Sequence, residues 1–324
     1  MLNTNLFHIY FNKSPYKYVE KKDCISFTDY VLPIGTSELC NYYLLIKCTD
    51  GNTYPVQFGA CAILEGMARI LENHLYPSPD NGRWQIPYDL PYLFANTVLP
   101  EFAIKQENIF ALCDISLQMY NPAEVFYNLL YIMKDEHFIP SDLESFYNYS
   151  YSKIEKMYKI KFTDIWNKSV EDARYNLKNA VNLPECQYAV TWADNVIETY
   201  TQKRDSDKVF LSRFMSMDRA TAEVEYFKLI REVVSPIIYN KKNQYSIMID
   251  HQEDAPLDID QLAYWIHISR MYNYIYTKNC NCPYDDICTE ECNDRTNPLR
   301  HSDICLFTQY GRNFGLNHKK VLKP

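Results

Sequence analysis

Glycine is scarce in this chain: there are 7 among 324 residues, at positions 35, 51, 59, 66, 82, 311 and 315, and none between Arg83 and Tyr310. Phosphate-cradling loops need a residue without Cβ, because only glycine lets the backbone close on an anion at positive φ. A P-loop or dinucleotide fingerprint is therefore excluded from the central stretch, and the remaining glycines form no such motif. No nucleotide cofactor is expected.

Other absences narrow the field further. No run of 18 apolar residues occurs, and the first twenty residues lack the basic start, apolar run and small-residue cleavage site of a secretory signal. The sequence predicts a cytoplasmic protein with no membrane partner. There is no HExxH and no Glu-x-x-His, which removes the zincin metalloproteases and the paired carboxylate–histidine motifs of di-iron bundles. No repeat of fixed length and no low-complexity tract is present.

What is abundant points to a packed core. Hydrophobic residues make up 47% of the chain and tyrosines number 29, so disorder is excluded as the main state. The 11 cysteines are odd in number, lie in a long chain and follow no export signal, which favours reduced thiols, some of them metal ligands.

Near the N-terminus, Leu6–Phe11, Cys24–Val31, Tyr42–Cys48 and Thr53–Phe58 are short, aromatic or β-branched runs that predict strands, with Asp50-Gly51 as a hairpin signal. After Gly59 the period becomes helical, with Ala60, Leu64, Met67 and Leu71 on one face. Helices are predicted over 88–99, 105–120, 123–137, 142–159, 163–181, 186–203, 207–216, 219–234 and 258–277. Asn121-Pro122 breaks two of them apart. Asp218 is placed to cap the helix over 219–234, with Ala220, Val224, Phe227, Ile230 and Val234 as its apolar stripe. Asp258 with Gln261 forms a capping pair for the next helix, and Tyr245–Ile249 reads as an isolated strand or extended connection. The expected fold is mainly α: a multi-helix bundle with a small N-terminal β-hairpin region, α+β overall, and a C-terminal Cys-rich zinc-stabilised module. Its divisions fall at residues 1–82, 83–277 and 278–324.

Five cysteines and a histidine cluster near the C-terminus in the order Cys280, Cys282, Cys288, Cys292, His301 and Cys305. The surrounding segment is rich in Asn, Asp and Pro and poor in large apolar residues, so burial alone would order it weakly. A tetrahedral zinc ion ties four soft ligands together and adds its binding free energy to folding. The favoured set is Cys282, Cys288 and Cys292 with either His301 or Cys305, and Cys280 competes with Cys282. The eleven residues from Cys282 to Cys292 are locally similar to half of a CCCH zinc finger with cysteine in the histidine place. Neither common ferredoxin spacing occurs, and a thiolate-rich set indicates a structural ion rather than a catalytic one.

Beyond the cluster the charge inverts. Residues 295–324 hold six Lys/Arg and one Asp, a net +5, which leaves −13 for residues 1–294 out of a total of −8. Arg295, Arg300, Arg312, Lys319 and Lys320 stand among Phe307, Tyr310 and Phe314, a composition suited to phosphates and stacked bases, so RNA or single-stranded DNA is a candidate partner.

Catalytic constellations are weaker. Arg69-x4-His74 and Arg295-x5-His301 fit the loose Arg-x4–6-His pattern of HEPN-type ribonucleases, but chance yields roughly 0.7 matches in such a sequence. Glu65, Arg69 and Glu72 instead have the spacing of a salt-bridged helix face. Asp135, Glu136 and His137 adjoin at a helix end. Asp194 with Glu198, and His251 with Glu253 and Asp254, are candidate divalent-ion ligands. Cys113 lies on an apolar helical stripe, which places it in the core, and Cys61 starts a helix where the macrodipole lowers a thiol pKa. Two functional expectations result. The first is an intracellular interaction or regulatory protein whose helical body binds a protein partner and whose zinc module presents the basic tail. The second is a nucleic-acid-binding or nucleic-acid-cleaving protein, a nuclease or ribonuclease subunit, that uses the module to hold RNA or DNA. The sequence leans away from an enzyme.

Overall fold

A computed structural model describes residues 24–33, 40–48, 51, 53–77, 86–180, 187–233, 237–239, 245–247 and 282. They are mostly helical, with two small antiparallel sheets. The expected strand at Leu6–Phe11, the helix over 258–277 and the C-terminal module lie outside the described residues, apart from Cys282.

Strands β1 (Cys24–Pro33), β2 (Cys40–Cys48) and β3 (Thr53–Phe58) form an antiparallel sheet in chain order. Between β2 and β3, Gly51 sits at φ +82°, where a side chain would be strained. Alternation along β2 buries Tyr42 and Leu44 and leaves Tyr43 and Leu45 half-buried on the opposite face. Across the sheet, Tyr42 pairs with Phe58, whose ring packs 5.2 Å from Phe94 and 5.0 Å from Phe126. The sheet and the helices thus share one apolar core.

Helix α1 (Ala60–Leu75) follows β3 directly. Its buried face is Cys61, Ala62, Ile63, Gly66, Ile70 and Leu75, rotated from the expected one: Leu64 is 36% exposed while Met67 and Leu71 pack at the core's margin. The reason is Gly66, which turns its bare backbone to Pro91 of α2 (Leu90–Val98) and lets the two helices approach closely. After the short α3 (Pro100–Ala103) comes α4 (Gln106–Leu117), in which every residue from Asn108 to Ser116 is buried. A helix enclosed on all sides is the centre of its bundle; α1, α2, α3, α5 (Pro122–Asp135) and α6 (Leu143–Tyr158) all pack on α4.

Local chemistry sets the helix ends. Asn121 caps α5 by accepting from the Glu124 backbone N–H, with Pro122 at the first helical position. Asp142 and Ser145 form a reciprocal capping box on α6, whose end is marked by Lys159 at φ +56°. Helices α7 (Phe162–Ala180) and α8 (Gln187–Ser206) follow, then a 3₁₀ turn (Ser212–Ser216) and α9 (Arg219–Val233).

Three expectations need correction. The helix over 207–216 is a turn followed by the 3₁₀ segment, because the Asp207 carboxylate accepts from the Val209 N–H and the Lys208 carbonyl accepts from Arg204, contacts that compete with helical bonding. On α9, Asp218 does cap, accepting from the Thr221 N–H at 3.1 Å. The inward residues there are Ala222, Tyr226 and Leu229, however, and Val224 is 55% exposed. Finally, β5 (Tyr245–Ile247) is not isolated but pairs antiparallel with β4 (Ile237–Tyr239).

The chain divides into two units. One comprises Met1–Asp172 with Thr201–Leu229 and holds the core just described; the other comprises Ala173–Tyr200 with Ile230–Pro324. In the second unit, Arg174 pairs with both Asp194 and Glu198, and Val190 is buried.

Candidate functional site

The buried carboxylate and guanidinium of the described residues meet at α4. Asp114 is 2% exposed in a helix otherwise lined by Ile109, Phe110, Leu112, Cys113 and Ile115. A carboxylate in such surroundings needs charge compensation and filled lone pairs. Both come from distant elements. Arg204, in the last turn of α8 and 4% exposed, donates from Nη1 to Oδ2 at 2.6 Å and from Nη2 to Oδ1 at 2.7 Å, the bidentate geometry that suits a guanidinium to a carboxylate. The same Nη1 donates to the Lys208 carbonyl at 3.0 Å, and the guanidinium lies 5.0 Å from the centre of the Phe210 ring.

Tyr147 of α6 donates its hydroxyl to Asp114 Oδ2 at 2.5 Å and shares a 2.8 Å hydrogen bond with Ser212 of the 3₁₀ turn. One helical turn beyond Asp114, Gln118 donates to the Asp114 carbonyl at 3.1 Å and in turn accepts from the Tyr151 hydroxyl at 3.0 Å. Burial, reinforced by the Asp114 charge, pushes the Tyr147 phenol well above its ordinary pKa, although Arg204 opposes the shift. The tyrosine therefore stays protonated and acts as a donor. Arg204 thus donates to both Asp114 oxygens and Tyr147 to one, so the carboxylate is engaged within the protein. The cluster connects α4, α6, α8 and the 3₁₀ turn.

Sequence reasoning overlooked this cluster. One signal was available: a lone acidic residue at the centre of the apolar run Ile109–Leu117 demands a buried partner. Nothing local identifies Arg204, which is 90 residues away.

The structure distributes the predicted catalytic candidates differently. Arg69 pairs with Glu72 at 3.1 Å on an exposed face, while the His74 Nε2 lies 3.1 Å from the Met217 carbonyl. Burial pushes the Glu65 carboxyl up. Asp194 and Glu198 face Arg174, an ion-paired arrangement in place of the expected divalent-ion site. At the end of α5, Asp135, Glu136 and His137 are exposed, and Glu136 accepts from Tyr149 and Lys153. Cys113 is fully buried, as its apolar stripe implies. Cys61 is buried too, and burial, with the Glu65 charge adding to it, pushes the thiol up to about 12. That is the reverse of helix-dipole activation.

Of the six candidate zinc ligands, Cys282 is half-buried; Cys280, Cys288, Cys292, His301 and Cys305 lie outside the described residues. So do Arg295, Arg300, Arg312, Lys319 and Lys320, as well as His251, Glu253 and Asp254. Among the described residues no group of three or more His, Cys, Asp or Glu side chains is arranged to hold a metal ion. No helix of the described residues is long and apolar enough to cross a membrane. Comparison of the chain with protein-family models, curated proteins and solved structures finds no match.

Proposed function

We propose that this chain is a cytoplasmic interaction or regulatory protein rather than an enzyme. Its helical body binds a protein partner, and its C-terminal Cys/His segment binds one structural zinc ion and presents the basic tail. The supporting observation is how the body uses several of its charged groups: Asp114 with Arg204, Asp194 and Glu198 with Arg174, and Glu136 with Lys153 join separate helical segments, while Arg69 and Glu72 pair along the face of α1. Side chains facing outward include Ile104, Tyr175 and Tyr120, at 79%, 68% and 62% exposure, residue types that contribute to interfaces through large apolar area. Isolated apolar side chains are common on any surface, so the structural ion pairs carry the reading.

The second reading, that the zinc segment holds RNA or single-stranded DNA, is favoured by the +5 charge of residues 295–324 against −13 for the rest. One experiment separates the two. The full chain is cross-linked in cell extract, the partner is identified, and the purified pair is titrated between about 50 and 200 mM salt, a range over which nucleic-acid complexes lose roughly 10³–10⁵ in affinity. In parallel, labelled RNA and single-stranded DNA are incubated with the chain and magnesium or manganese. Protein association that persists across the salt range, with intact nucleic acid, is expected. Steeply salt-dependent nucleic-acid binding without a protein partner, or metal-dependent cleavage, would overturn the proposal.

A further inference from the structure

We draw no further inference here: the strongest candidate, the buried Asp114–Arg204–Tyr147–Ser212 cluster between α4, α6, α8 and the 3₁₀ turn, belongs to the site already described, where its polar groups bind one another.

Discussion

Arg204 grips Asp114 through two near-parallel hydrogen bonds of 2.6 and 2.7 Å, with both side chains 3% exposed. Removing one partner of such a pair strands a charge in the core and costs about 3–5 kcal/mol, whereas replacing both by apolar groups of similar volume is often neutral. Arg204→Ala is therefore expected to lower the urea midpoint sharply, and the double variant Asp114→Leu/Arg204→Met to recover most of the loss. Equal midpoints for wild type and Arg204→Ala would show that the pair adds nothing to stability.

Gly66 is expected to tolerate no side chain. A Cβ built there lies 2.4 and 2.6 Å from the Pro91 ring carbons and 3.1 Å from the Tyr88 carbonyl oxygen, and a proline ring cannot swing aside. The helix-propensity gain of alanine, about 1 kcal/mol, is outweighed by overpacking of roughly 1–3 kcal/mol. Gly66→Ala should lower the Tm, read by circular dichroism at 222 nm; a raised Tm would mean that α1 and α2 separate easily.

Alkali should destabilise the body before its exposed groups finish titrating. Cys61 and Tyr158 are pushed up to about 12, both chiefly by burial, with the charges of Glu65 and Glu124 adding to the shift. Burial also raises Cys113 and Tyr147. Between the ordinary thiol and phenol values and these raised ones, the folded chain binds more protons than the unfolded chain, so stability falls as pH rises. Denaturation midpoints should hold up to about pH 8.5 and decline above it, following the ordinary thiol pKa. A profile flat to pH 11 would contradict the assignment.

Metal content tests the C-terminal reading directly. Purified wild type should carry about one equivalent of zinc by plasma mass spectrometry, in keeping with a single four-ligand site, and Cys282→Ser and Cys288→Ser should each lose it. Fully folded protein without metal would eliminate the site.

If the tail holds nucleic acid, the double charge reversal Arg312→Glu/Lys319→Glu should reduce the salt slope of RNA binding by roughly 2, about one per phosphate contact removed. Fluorescence anisotropy against salt measures this, and an unchanged slope would end the tail's role.

Much of the body was legible because its signals are local. Pro122 after Asn121, the Asp218 cap and Gly51 between the paired β2 and β3 each act within a few residues, and the helices at 122–135 and 143–158 lie close to where periodicity placed them. The face of α1 was misjudged because Gly66 adds no hydrophobic weight, yet its missing Cβ decides which side meets Pro91. Cys61 illustrates the same limit at the site: its place at a helix start suggests an activated thiol, but the enclosure that raises its pKa is assembled by tertiary packing. The Asp194 and Glu198 pair resembles a cation site until Arg174, on another helix, is brought against it.

The separation of Asp114 from Arg204 also constrains how the protein is made. At translation speeds of 5–20 residues per second, the 90 residues between them take roughly 5–20 s to synthesise. During that interval a nascent chain that already carries β1–β3 and α1–α3, and is adding α5–α7, has a carboxylate in α4 with no guanidinium to meet it. The first unit also needs Thr201–Leu229 to be complete, so its final locking follows translation of α8, and a ribosome stalled before Arg204 would display an incompletely closed bundle to chaperones.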